Sequence, residues 1–173
     1  MKKIVLLITL FVLLSSCDKN DDKNCSGVDC LPPATQTGAG TFGCLVNGVP
    51  FIDKSGSYNC FYQLVDGEYY FSISAKFYGQ IKGMGLGSQN IELLQGETYE
   101  LLSVGASNFS ADIFIDAYNN FETSSVNTGN ILITKLDLAA DIISATFEFT
   151  VTDPMSGKVY KITEGRFDIH FTQ

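Results

Sequence analysis

Apolar and polar residues alternate along most of the chain after residue 40. In YYFSISAKF, residues 69–77, one face of an extended strand would carry Phe71, Ile73, Ala75 and Phe77, with Ser72, Ser74 and Lys76 on the other. ATFEFTVTD and RFDIHF repeat the pattern, and no window of a dozen residues shows a convincing helical repeat with caps. The pattern predicts an all-β protein, a single antiparallel β-sandwich domain of two sheets.

Three two-residue turn signals predict hairpins in a defined register: Asn47-Gly48, Asp66-Gly67 and Glu164-Gly165. Each register gathers apolar residues on one face, which we expect to be the core face. The predicted pairs are Val46 with Val49, Cys44 with Phe51, Phe42 with Asp53, Leu64 with Tyr69, Tyr62 with Phe71, Cys60 with Ile73, Ile162 with Phe167 and Tyr160 with Ile169.

Two further expectations follow from these registers. Pro50 cannot donate a backbone hydrogen bond, so the strand over residues 49–53 is predicted to lie at a sheet edge. The third hairpin places Lys161 across from Asp168 on the outer face, as an exposed cross-strand ion pair.

The N-terminus has the pattern of an export signal. Lys2 and Lys3 precede an apolar run over residues 4–14 that, as a helix, is roughly 16 Å long and too short to span a bilayer. Leu14-Ser15-Ser16-Cys17 resembles the bacterial lipobox, in which cleavage before the cysteine leaves its thiol to carry a diacylglycerol. We therefore predict a lipoprotein signal peptide over 1–16 and lipid attachment at Cys17, the alternative being an ordinary secretory signal.

Residues 17–40 are polar and rich in small residues, and they include Pro32-Pro33. They are predicted to form a flexible, lipid-anchored linker before a single domain over 41–173. The charged residues after Cys17 resemble signals that send lipoproteins to the outward face of the outer membrane: Asp18, Lys19, Asp21, Asp22 and Lys23. The alternative is that these charged residues form a solvated tether and carry no localisation signal.

The charge of the chain argues against nucleic acid as a partner. The full sequence has 11 Lys plus Arg, 19 Asp plus Glu and a net charge of −8. Without residues 1–16 the charge becomes 9 − 19 = −10, because Lys2 and Lys3 are removed. No cluster of cations is present to bind phosphates.

The chain has five cysteines, of which four remain if Cys17 is acylated. An even number in an exported chain indicates disulfides, with three possible connectivities. Cys44 and Cys60 both fall on predicted core faces, and Cys25 and Cys30 are close in sequence. We therefore expect bridges between Cys44 and Cys60 and between Cys25 and Cys30. A zinc site is the weaker alternative, since no C-x-x-C pair occurs.

Few residues indicate catalysis, and the chain is predicted not to be an enzyme. His170 is the sole histidine and falls on a predicted solvent face. The glycines of GMGLGSQN lack the context of a phosphate-binding loop and indicate strand irregularities or close backbone approaches. Neither a metal site nor a cofactor is predicted.

Paired carboxylates are the one kind of catalytic site for which the sequence offers candidates. Asp112 and Asp116 share a strand face but would be about 13 Å apart, too far for a glycosidase pair. A pair across strands, such as Glu148 with another acid, would be close enough. A carboxylate-dependent glycoside hydrolase is therefore an alternative function.

Aromatic residues are concentrated between positions 58 and 78, and part of them falls outside the predicted core face. Such residues beside amide and hydroxyl groups would suit a sugar ring or a protein partner. The predicted ligand face comprises Phe61, Gln63, Tyr70 and Tyr78. The alternative is that this face packs under the second sheet or a loop.

The motifs TFGC-x-VNG, at residues 41–48, and IT-x-GRFD, at 162–168, lie near the two ends of the domain. With the ILIT and IIS-x-TFEF strands between them, the chain resembles a family of small, uncharacterised Bacteroidota lipoproteins. The resemblance covers residues 40–171 and departs at Ala145, where glycine would be expected. It implies a lipoprotein signal and a β-rich domain, and it transfers no catalytic residue.

Together these observations predict a lipid-anchored protein of the cell envelope. We expect it to sit in the outer membrane facing outward and to act as a binding or structural module. Its predicted partners are the membrane, through the lipid, and a glycan or an envelope protein. An accessory subunit of an outer-membrane complex is a further alternative.

Overall fold

The structure is a computed structural model that describes residues 25–56, 58–77, 79, 81–116 and 119–173. Cys17 and the predicted signal peptide lie outside the described residues. After a 3-10 turn at Gly27–Cys30 the described chain is built from strands. They are β1 (Thr41–Val46), β2 (Val49–Ile52), β3 (Asn59–Val65), β4 (Glu68–Lys76), β5 (Gly83–Gln89), β6 (Thr98–Leu101), β7 (Phe109–Phe114), β8 (Asn120–Glu122), β9 (Gly129–Asp137), β10 (Ile142–Thr152) and β11 (Val159–His170).

All of these strands belong to one sheet in the order β2-β1-β11-β10-β9-β6-β7-β5-β4-β3, with β8 paired to β7. The pairing is antiparallel except between β6 and β7, so the sheet is mixed. The Thr172 N–H donates to the carbonyl of Cys60 at 3.0 Å, and the Tyr62 N–H donates to the carbonyl of Thr172 at 2.9 Å. The sheet therefore curls until the end of β11 meets β3.

The all-β prediction is confirmed, but the predicted division into two sandwiched sheets is not. Hydrogen bonding is continuous from β2 to β3, and the curled sheet encloses one core. The core is aromatic near β1, where the fully buried Phe42 packs against the rings of Phe51, Phe147 and Phe167. A single curled sheet buries its inner face as a sandwich would, which is why the alternating pattern did not distinguish them.

The first two predicted hairpins are confirmed in register. Cys44 pairs with Phe51 and Val46 with Val49, while the N–H of Asp53 donates to the carbonyl of Phe42 at 3.2 Å. The β3–β4 pairs are Cys60 with Ile73, Tyr62 with Phe71 and Leu64 with Tyr69. β2 ends the strand order, as the proline at position 50 predicted.

The third predicted hairpin is wrong. Val159–His170 is one continuous strand, and Ile162 pairs with Phe149 while Phe167 pairs with Ala145. Glu164-Gly165 lies at a bulge in the β10–β11 pairing rather than at a turn. Gly165 is required there because a Cβ would collide with the Phe147 ring and carbonyl.

The predicted ion pair of Lys161 with Asp168 is also absent, because Asp168 is buried under the N-terminal segment. Its carboxylate accepts hydrogen bonds from Thr35, Thr37, Gly38 and Ala39. Its backbone carbonyl accepts from the N–H of Gly40 at 2.8 Å.

These contacts correct the prediction of a flexible linker for its last ten residues. Leu31 is buried, Pro32 lies against Gly43 of β1, and Gly38 lies against the His170 ring. Residues 31–40 are therefore docked on the outer face of β1 and β11 and belong to the domain. Residues 17–24 of the predicted linker lie outside the described residues.

One predicted disulfide is present and the other is not. Cys25 and Cys30 are bridged, whereas Cys44 and Cys60 are buried free thiols. Cys44 lies on β1, with its Sγ 3.9 Å from the Sδ of Met84, and Cys60 lies on β3, hydrogen-bonded to β4. Both thiols face the core, but they enter it from strands that are not neighbours. Burial raises the pKa of Cys60 to about 12 and raises that of Cys44 as well, so both remain protonated.

Candidate functional site

The outer face of β5 is made of glycine. Residues of this strand alternate between the core and the outer face, and Met84, Leu86 and Ser88 are buried. The outward positions between them are Gly85 and Gly87, so the middle of the strand presents bare backbone. The taller side chains of the neighbouring strands therefore enclose a groove, which we call the glycine groove.

Residues of β3, β4 and β7 form the walls of the glycine groove. Ser72 pairs with Gly87 and Ser74 with Gly85 on the β4 side, while Ser110 and Asp112 pair with the same glycines on the β7 side. Phe61 pairs with Ser72, and Tyr70 pairs with Gln89. Hydroxyl groups and a carboxylate thus lie beside the glycine floor, and aromatic rings lie at one end.

The groove consists of two adjoining cavities. The cavity of about 220 Å³ is lined by Phe61, Tyr70, Gln89 and Asn108, and that of about 260 Å³ by Ser74, Gly85, Asp112 and Phe114. Four lining residues are common to both: Ser72, Gly87, Val104 and Ser110. From Tyr70 to Ser74 the strand advances by about 13 Å, so an extended ligand would follow the direction of β4.

The loop between β6 and β7 overhangs the aromatic end of the groove. The N–H of Ser107 donates to the carbonyl of Gln89 at 2.9 Å, which fixes the loop to the end of β5. The Asn108 side chain donates to the carbonyl of Ser103 at 3.0 Å. Val104 remains 59% exposed and presents an apolar surface to the groove.

Asp112 gives the other end of the groove its electrostatic character. Burial raises the pKa of Asp112 to about 6, hydrogen bonding to the Gly85 backbone opposes this rise, and the negative charge of Glu122 adds to it. Glu122 lies directly opposite Asp112 in the β7–β8 pair. This end of the groove therefore holds a carboxylate that changes charge near pH 6.

The structure brings three members of the predicted ligand face together. Phe61 and Tyr70 line the glycine groove, and Gln63 pairs with Tyr70 on the same outer face. The Tyr70 hydroxyl donates to the Glu68 carboxylate at 2.8 Å. Tyr78 lies outside the described residues.

Several groove residues were not among the predicted ones: Gly87, Val104, Asn108, Ser110 and Asp112. The alternating glycines of GMGLGSQ were a visible signal, and the predicted close approach occurs where the Asp112 carboxylate lies over Gly85. The local sequence did not predict that the β7 residues line this groove, because β5 pairs with β7 and not with β6, the next strand along the chain.

Two other cavities lie elsewhere on the described part of the domain. One of about 300 Å³ contains Glu148 and the ion pair of Arg166 with Glu164, whose Nη2 and Oε2 are 3.0 Å apart. Another of about 460 Å³, lined by residues such as Val49, Phe51 and Tyr160, is mainly apolar. Of these cavities in the described part of the chain, the groove alone combines a glycine floor, aromatic rings and a partly buried carboxylate.

Among the described residues, no cluster of three histidine, cysteine or acidic side chains could hold a metal ion. Within the same ranges, no helix is long and apolar enough to cross a membrane. No family model, curated protein or solved structure matches the chain.

Proposed function

We propose that the chain is a lipid-anchored protein of the cell envelope and that its β domain is a binding module with the glycine groove as the ligand site. The lipobox-like residues 14–17 support the anchor at Cys17. The resemblance to Bacteroidota lipoproteins supports the same assignment. The acidic residues after Cys17 support an outward position on the outer membrane, with the lipid as the membrane contact.

The observation that carries the binding proposal is a groove that joins aromatic rings to hydroxyl groups over a glycine floor. The face of a sugar ring is apolar at its C–H groups and packs on aromatic rings such as Phe61 and Tyr70. Its hydroxyls both donate and accept hydrogen bonds, as the side chains of Ser72 and Ser110 also do. A saccharide is therefore the ligand class that the groove suits best.

We expect Tyr70→Ala to weaken saccharide binding roughly tenfold, because it removes one of the aromatic rings on which the sugar packs. The measurement is calorimetry or glycan-array binding with neutral hexasaccharides of glucose, mannose and N-acetylglucosamine. Leu64→Ala is the matched control, since Leu64 is 59% exposed on the same β3–β4 hairpin and does not line the groove. Equal binding by both variants, or no binding by the wild type, would overturn the assignment of the groove.

We expect the wild-type protein to be digested by protease added to intact cells while a periplasmic marker survives. The Cys17→Ala variant should lose the lipid and appear in the soluble fraction. Metabolic labelling with a fatty acid analogue checks the attachment directly. Protection of the wild type would place the domain inside the envelope, and unlabelled protein would remove the lipid anchor from the proposal.

A second candidate function, hydrolysis of a glycosidic bond, is favoured by one observation. Asp112 and Glu122 are directly opposed in an antiparallel pair. Their Cβ atoms are therefore about 4.5–5.5 Å apart, so both side chains start close enough to act on one bond, as the paired acids of a retaining glycosidase do. An acid with a raised pKa beside a second acidic residue also fits that mechanism. Release of reducing ends from the same hexasaccharides would show hydrolysis, and its absence would leave binding alone.

A further inference from the structure

The Asp112 carboxylate occupies space that is free because residue 85 is a glycine. Asp112 lies on β7 directly opposite Gly85, and a Cβ at residue 85 would collide with the Asp112 Oδ1. The carboxylate therefore lies across the floor of the glycine groove instead of extending into solvent. Any larger residue at position 85 would displace it from the groove.

The carboxylate retains unused capacity to accept hydrogen bonds. Within the described part of the chain, the lysines, arginines and histidine form no ion pair with Asp112. The Gly85 and Asp112 backbones are the hydrogen-bonding groups that act on its pKa. An ionised carboxylate has about four lone-pair sites, so acceptor positions remain on the side that faces the groove.

We propose that Asp112 is the hydroxyl-recognising group of the groove and that the ligand is a neutral saccharide, two of whose hydroxyls donate to this carboxylate. This inference rests on the proposed function, since it assigns chemistry within the same groove. A ring bound over Gly85 would reach Asp112, Ser74 and Ser110, and the next ring along β4 would reach Tyr70 and Phe61. The two ends of the groove thus make different contacts with one saccharide: hydrogen bonds to hydroxyls at one end and aromatic packing at the other.

The charged residues around the groove favour a neutral saccharide over an acidic one. Glu122 faces Asp112 from β8, and Glu68 lies beside Tyr70 at the other end. On β5 the facing residues are glycines, and on β4 beyond them lie Ser74 and Lys76. The lysine is one positive charge against three negative ones, so a uronic acid would be repelled.

The same carboxylate makes binding depend on pH. Protonation removes acceptor sites, so the form that binds is the ionised one. Because the pKa of Asp112 is raised to about 6, affinity should be full near pH 8 and fall as the pH drops through 6. At pH 5, one unit lower, about a tenth of the sites are ionised, and affinity should be roughly tenfold lower.

The test measures binding of the neutral hexasaccharides from pH 8 to pH 5 for three proteins. We expect a roughly tenfold loss for the wild type. Asp112→Asn should bind about tenfold more weakly at pH 8 and show no pH dependence. Glu122→Gln should move the fall in affinity to lower pH, because the charge that raises the pKa of Asp112 is gone.

The outcomes separate this inference from the proposed function. Binding that Tyr70→Ala weakens but that is independent of pH and of Asp112→Asn would overturn the role of Asp112 and leave the groove as the site. Preference for a galacturonic acid hexamer over the neutral ones would overturn the ligand class. No binding by the wild type at pH 8 would overturn both.

Discussion

Replacing Asp168 by alanine should lower the free energy of unfolding by about 3 kcal/mol or more and release the segment over residues 35–39. The Asp168 side chain is almost completely buried where it joins β11 to this segment and to β10. It accepts hydrogen bonds from the Thr35 hydroxyl at 2.6 Å, the backbone N–H groups of Thr37, Gly38 and Ala39 at 2.9, 2.8 and 3.1 Å, and the Ser144 hydroxyl at 2.8 Å.

The cost arises because these donors converge on one ionised acceptor. Hydrogen bonds to a charged group contribute more than neutral ones, and a buried donor left without a partner costs about 1–3 kcal/mol. The loss is limited because residues 35–39 can detach and be hydrated, whereas Ser144 stays on β10. Asp168→Asn should be nearly as costly, since its amide nitrogen donates where an acceptor is needed.

Urea denaturation measures the stability change, and limited proteolysis within residues 31–40 measures release of the segment. Glu97→Ala is the control, because Glu97 is an exposed acid that should change stability by no more than about 0.5 kcal/mol. If Asp168→Ala unfolded at the wild-type urea concentration, the docked segment would contribute nothing to stability.

Acid should remove this stabilisation in the wild type. Burial raises the pKa of Asp168, but the hydrogen bonds from Thr35, Thr37, Ser144 and Ala39 outweigh it and hold the pKa well below the ordinary value of 3.8. A depressed pKa stabilises the fold above the unfolded-state value and loses that effect as the pH falls below it. The stability difference between wild type and Asp168→Asn should therefore be constant at neutral pH and shrink below about pH 4.

The contrast between three turn signals shows what local sequence can predict. Asn47, Asp66 and Glu164 all have φ near +50°, at 50°, 51° and 55°, and each precedes a glycine. Gly48 and Gly67 also have positive φ, so the chain reverses, but Gly165 does not. The signal identified a left-handed residue each time. It did not determine the conformation of the second residue, and Gly165 instead lies within β11 against Phe147 of the neighbouring strand.

Long-range contacts account for the other differences. Thr35 and Asp168 are separated by 133 residues, and the polar composition around Thr35 is the same whether the segment is free or docked. The alternation of apolar and polar residues predicts that Cys44 and Cys60 face the core. The distance between the two thiols, however, depends on how the sheet curls. Phe61 and Tyr70 share one hairpin, so the local sequence predicts that they lie on one face, whereas the position of Asp112 depends on the pairing of β5 with β7.

Phe42→Ala should lower the free energy of unfolding by about 3–5 kcal/mol, the usual cost of removing a buried aromatic ring. Phe42 is fully buried, and its ring centroid lies 5.4 Å from that of Phe147 and 6.2 Å from those of Phe51 and Phe167. The cavity cannot close easily, because these rings come from β2, β10 and β11. Val126→Ala is the control, since Val126 is 86% exposed and should have almost no effect in the same urea experiment.

The Phe42→Ala and Asp168→Ala changes should not be additive. Phe42 pairs with Phe167 and Thr41 pairs with Asp168, so both act on the β1–β11 ladder on which residues 31–40 are docked. Once Phe42→Ala has loosened β1, less docked structure remains for Asp168→Ala to release. The double variant should therefore lose at least about 0.5 kcal/mol less than the sum of the single losses. An additive result would show that the core beneath β1 and the segment above it are independent.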